Sequence, residues 1–211
     1  MGNSCQFVAL SVMPMHRIPL YLLCAAELVR TAAGAPFAGQ YLAYGSKLYP
    51  CATNESKNNI ILRSVVSSFN IKEPSALQRL YGNITYYISF DDTFWARTRI
   101  DSRSSDGQRW LKNAFLITFP GKACSMMREH VPGLARILLG GDEIMKRKSC
   151  SVQTGEYSIG NQAVNWTVPH FPIMPYGHMR IQQLAGRGQD TDYCHMFEFN
   201  VIPRPKLGNN G

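Results

Sequence analysis

The chain has 211 residues, 45% of them hydrophobic and 17% charged, enough apolar material for the core of one domain and too much for a disordered or fibrous chain. Seventeen glycines, twelve prolines and an 11% aromatic share favour strands and turns, which excludes coiled coils and helical arrays. Lys and Arg exceed Asp and Glu by 22 to 14, but the longest basic run is Lys146-Arg147-Lys148, so the excess is spread too thinly to make nucleic acid the expected partner.

Read in chain order, the first 35 residues stand apart. His16 and Arg17 precede the apolar run from Ile18 to Ala26, and small residues then cluster from Thr31 to Ala35, the order of a secretory signal, with Met15 as an alternative start. The apolar run is too short to span a bilayer. Residues 1–35 are therefore expected to be removed on export. Sequons for N-glycosylation stand at Asn54-Glu55-Ser56, Asn83-Ile84-Thr85 and Asn165-Trp166-Thr167. Losing the leader also removes Cys5 and Cys24 and leaves Cys51, Cys124, Cys150 and Cys194, an even number suited to disulfides in an extracellular protein. Spacing alone leaves all three pairings of four cysteines open, and no two of them lie close enough for a structural zinc site.

Beyond the leader, strands are predicted at 60–71, 84–90, 94–101, 110–119, 156–159, 177–184 and 193–202, separated by turn signals at Ser105-Asp106-Gly107, Gly160-Asn161 and Gly186-Arg187-Gly188. In the second strand Ile84, Tyr86, Ile88 and Phe90 share one face. One short helix is predicted within 125–139, where Met127, Val131, Leu134 and Leu138 recur at helical spacing and Pro132 restricts the first turn. About seven strands at this spacing predict an all-β, antiparallel sandwich. A single domain over 41–203 and a loose tail at 204–211 complete the organisation.

The stretch from Val168 to Gly177 is apolar, yet its three prolines exclude it from a central strand. It is either a plug packed onto the core or an exposed binding lip. Catalytic signatures are missing: there is no Gly-x-Ser-x-Gly elbow, no His-Glu-x-x-His and no phosphate-cradling loop. Asp91 and Asp92 are adjacent on a strand and point to opposite faces, and His130, His170, His178 and His195 share no spacing with carboxylates. No catalytic residue, metal ligand or cofactor is expected.

The order of motifs in the second half resembles a known family. Cys150-Ser151-Val152-Gln153-Thr154-Gly155-Glu156-Tyr157, then the proline-rich apolar stretch, then Tyr176-Gly177-His178-Met179-Arg180-Ile181, a glycine turn and Cys194 in a last strand are similar to the ML lipid-recognition superfamily, nearest its ganglioside-activator and secreted arthropod branches. Tyr81-Gly82-Asn83-Ile84-Thr85 resembles the family's glycine-sequon strand. Ser151 replaces the family's proline, and Met179 its aromatic residue.

The resemblance implies an immunoglobulin-like sandwich whose sheets splay around an apolar cavity, and bridges Cys51–Cys194 and Cys124–Cys150. Closing loops of such length stabilises by about 3 to 5 kcal/mol apiece in the chain-entropy picture. It further implies a secreted, non-enzymatic protein that encloses an acyl chain, glycolipid or other apolar small molecule and presents it to a receptor protein or a membrane surface, with chemosensory roles known among the arthropod relatives. Lipid contacts are expected from Met126, Met127 and Leu134 of the helical segment and from Val168, Phe171, Ile173 and Met174 of the loop, the two together forming the mouth. Inward strand residues Tyr86, Ile88, Phe90, Trp110, Phe115, Ile117, Phe119, Phe197 and Phe199 are read as core. An extracellular protein-interaction module with a filled core is the alternative.

Overall fold

The computed structural model describes residues 36–52, 54–167 and 171–204. The expected leader at 1–35, Val168 of the loop and residues 205–211 of the tail lie outside them. By its contacts the chain divides into Met1–Phe37 and Ala38–Gly211, and every element below belongs to the second unit.

In order these are β1 (Ala38–Gly39), β2 (Tyr41–Pro50), β3 (Ile60–Val66), β4 (Gln78–Tyr86), β5 (Phe90–Asp91), β6 (Trp95–Arg103), β7 (Trp110–Phe119), α1 (Ala123–His130), α2 (Pro132–Leu138), α3 (Asp142–Lys146), β8 (Ser151–Val152), β9 (Gly155–Val164), β10 (Met174–Pro175), β11 (Gly177–Arg187) and β12 (Asp190–Pro203). The long strands form two antiparallel sheets, one ordered β2-β12-β11-β6-β7 and one ordered β3-β4-β9, with the short pairs β1-β10 and β5-β8 beside them. The protein is an all-β antiparallel sandwich, with three short helices among the described residues.

Register decides which side chains face inward, because residues directly opposite in an antiparallel pair lie on one side. Ala96, Ala185 and Tyr193 stand in one row across the larger sheet, and Ile100, Ile181 and Phe197 in another. From the smaller sheet Ile60, Leu62, Leu80, Ile84, Tyr86 and Ile159 pack with Ala185 and Tyr193 into one buried cluster, against which Ala96 and Phe197 rest. A second cluster gathers Tyr41, Ala43, Met174, Met179, Phe199 and Val201. Trp166 packs against both.

The helices follow from Pro132, which has no N–H to donate and so begins a helix rather than continuing one. The single helix expected over 125–139 is thus two, broken at Val131, and α3 was not foreseen. Asp92 supplies the cap that α1 lacks: its carboxylate accepts the Ser125 N–H at 2.8 Å and the Ser125 hydroxyl at 2.6 Å. The Tyr86 hydroxyl, its pKa pushed up by burial, donates to the Leu138 carbonyl at 3.0 Å and ties α2 to β4.

Boundaries shifted where polar residues enter strands. The expected strand 60–71 ends at Val66, and the expected strand 84–90 runs instead from Gln78 to Tyr86. Gly82 permits that course, since its φ of 134° and an approach of 2.0 Å between an added Cβ and the Arg63 carbonyl exclude other residues. The disulfides are Cys51–Cys194, joining the start of the domain to β12, and Cys124–Cys150, joining α1 to the segment before β8.

Candidate functional site

The larger sheet is wider than its cover. Among the described residues strand β7 pairs only with β6, at the sheet's edge, and register puts Leu111, Phe115, Ile117 and Phe119 on the inward side, opposite Ser102, Ile100, Thr98 and Ala96. Asn113, at a positive φ of 59°, lies in the bulge that separates Leu111 from Phe115. Phe115 remains 40% exposed and Leu116, on the outward side, 60%. A strand with apolar residues on both faces and solvent on most of them is uncommon in a soluble domain. Alternation could have signalled it, because Phe115-Leu116-Ile117 breaks the apolar-polar period; Leu111 and Leu116 carried no other mark.

Next to this strip the inner face turns polar. Thr98, Gln183 and His195 stand opposite one another across β6, β11 and β12, and the Thr98 hydroxyl donates to Gln183 Oε1 at 2.6 Å. His195 is 2% exposed, lies edge-on to Phe197 at 5.1 Å between ring centres, and its buried Nε2 has no hydrogen-bond partner among the described residues. Burial pushes its pKa down to about 4, so the ring is neutral at physiological pH.

The expected contact residues are placed as follows. Met127 and Leu134 pack, half-buried, against the cluster that holds Tyr86 and Ile159, and Met126 is half-buried on α1. Met174 is buried in the other cluster, its strand β10 paired with β1. Phe171 and Ile173 are exposed, Phe171 at 43%. Met174 therefore belongs to a different cluster from Met127 and Leu134. The face of α1 does approach the open strand, where the ring of His130 stacks on Phe119 with centres 5.6 Å apart. Of the expected core rings, Tyr86, Phe90 and Phe199 are buried, Phe197 and Phe119 half-buried, and Phe115 departs as described; Trp110, opposite Arg103 on the outward side of β7, does not face the core.

Asn54 and Asn165 are exposed. Asn83 is half-buried on the central strand of the smaller sheet, and its amide nitrogen donates to Glu156 Oε1. Among the described residues, the groups with metal-ligand geometry are Cys51, Glu55 and Cys194, and Asp92, Cys124 and Cys150; the sulfurs of both are bonded to each other. Asp91 accepts hydrogen bonds from the N–H and hydroxyl of Thr93, and Asp92 anchors α1, so both acids have structural work at a strand end. No described helix is long and apolar enough to cross a membrane.

No protein-family model matches the chain, and no curated protein matches it.

Proposed function

We propose that this is a secreted, non-enzymatic lipid-binding protein of the ML type, with an immunoglobulin-like course of strands, which shelters an acyl chain against the inner face of its larger sheet and presents it to a receptor or membrane. The observation that supports this reading is the inward strip of β7, where Leu111 and Phe115 stand exposed beside the half-buried Ile117 and Phe119. Such a strip is filled best by an apolar ligand, and a chain of about twelve methylenes contributes roughly 10 kcal/mol of gross transfer free energy, from which association and ordering costs are taken. Two disulfides accord with an oxidising, extracellular setting.

Titration with a fluorescent fatty acid tests it. Wild type is expected to bind at micromolar concentration, and Phe115→Asp to weaken binding about tenfold while costing only about 1 kcal/mol of stability, because that ring is already half in solvent. Wild type that takes up no fluorescent lipid would favour the filled-core interaction module.

A further inference from the structure

The outer face of the five-stranded sheet carries a concavity that the lipid reading does not use. A depression of about 710 Å3 opens there, lined in part by Lys47, Arg103, Ser104, Trp110, His178 and Glu198. Register sets Lys47 opposite Glu198, Glu198 opposite Arg180 and Arg180 opposite Asp101, so charges alternate in sign across four strands.

The two signs differ in where they point. The Asp101 side chain is 1% exposed; it receives Arg180 Nη2 at 2.8 Å and the Asn113 N–H at 3.1 Å. The Glu198 side chain is 13% exposed and accepts the Tyr49 hydroxyl at 2.8 Å, with His178 Nε2 at 3.2 Å but not aimed for a hydrogen bond. Asp101 is buried, and Glu198 lines the depression with its oxygens against Tyr49 and His178. Lys47, by contrast, is exposed and makes no ion pair among the described residues. Arg103 Nε donates to the Gly107 carbonyl at 2.8 Å, and no hydrogen bond engages its terminal nitrogens among the described residues. The Trp110 ring lies 4.8 Å from the Arg103 guanidinium and 4.4 Å from that of Arg180, which holds these cations on an aromatic plate.

We propose that this depression binds a sulfated polysaccharide. Guanidinium and ammonium groups pair with sulfate oxygens, and the exposed Ser105 hydroxyl beside them suits a sugar hydroxyl. A concave floor suits a narrow chain better than a flat bilayer. The net charge of +8 draws a polyanion toward the protein over longer range, and repeated sulfates along one chain add avidity. In the oxidising compartment that the disulfides indicate, sulfated glycans are the polyanions at hand rather than nucleic acids.

Calorimetric titration of the full chain with a heparin-derived hexasaccharide at low salt tests this. Lys47→Glu with Arg103→Glu is expected to weaken binding at least about tenfold, with affinity falling steeply as salt rises. Arg63→Glu with Arg79→Glu, exposed on the smaller sheet, makes the same change in net charge and is expected to leave affinity within about twofold. Equal loss from both pairs would overturn the site in favour of diffuse charge. Undiminished binding of desulfated heparin would overturn the sulfate assignment, and preferential binding of phosphatidylglycerol vesicles, abolished by the first pair, would replace the glycan with a membrane surface. Should the first pair of variants melt early, Lys47→Ala with Arg103→Ala makes the same comparison.

Discussion

Gln78 on β4 holds both peptide groups of Gly45 on β2: its Oε1 accepts the Gly45 N–H at 2.8 Å, and its Nε2 donates to the Gly45 carbonyl at 3.0 Å. Nε2 also donates to the Ser67 carbonyl at 2.6 Å. One buried amide thus links an edge strand of the larger sheet to the central strand of the smaller one and stands in for a ladder between them. Gln78→Leu leaves these backbone groups buried without partners and is expected to cost about 3 kcal/mol, measured by urea denaturation. Gly45→Ala should also destabilise, since the added methyl meets the Trp166 ring at 3.0 Å.

His195 sets a pH dependence. Its folded pKa of about 4 lies below the ordinary value of 6.5, so the unfolded chain takes up a proton that the folded chain refuses. Stability is expected to fall between about pH 6.5 and 4 by on the order of 3 kcal/mol. Asp91, Asp101 and Asp106, held below the usual carboxylate range after hydrogen bonds and cations outweigh burial at the first two, lose their contributions only below that window. Melting curves at stepped pH should therefore show a decline for wild type that His195→Phe flattens.

Glycan occupancy should be unequal. Asn54 and Asn165 are exposed, whereas the Asn83 amide is engaged by Glu156 on a neighbouring strand. Glycopeptide mass spectrometry of secreted material is expected to find Asn54 and Asn165 occupied more fully than Asn83, and Glu156→Ala to raise occupancy at Asn83.

Phe171 separates a lip from a plug. At 43% exposure its replacement by Asp does not bury an unpaired charge, so the melting temperature should change by only about 2 °C. If the loop guides ligand entry, fluorescent-lipid uptake slows in the same variant. A melt many degrees lower would make it a plug.

Much of the fold was legible because β7, β11 and β12 carry long apolar or alternating runs bounded by glycine turns. Strand β2 was not foreseen, because Ala43 and Gly45 are small where they face inward and give little hydrophobic contrast. The break at Val131 follows from Pro132, which opens a second helix although the helical spacing runs on through it. The two disulfide pairings came from resemblance, since spacing left three connectivities. The open strip is legible only in part: Leu116 breaks the alternation, but the width of the opposing sheet decides whether Phe115 and Ile117 are covered. His195 gave no sign in sequence, because its burial depends on four strands assembling around it.

Whether an apolar ligand occupies this sandwich is answered most directly by native mass spectrometry of the full chain secreted from eukaryotic cells, followed by organic extraction. The account predicts a population heavier than the glycosylated polypeptide by the mass of one lipid, recovered in the extract and reduced in Phe115→Asp. A single mass equal to the polypeptide and its glycans, with no lipid in the extract and no uptake of added fatty acid, would contradict it.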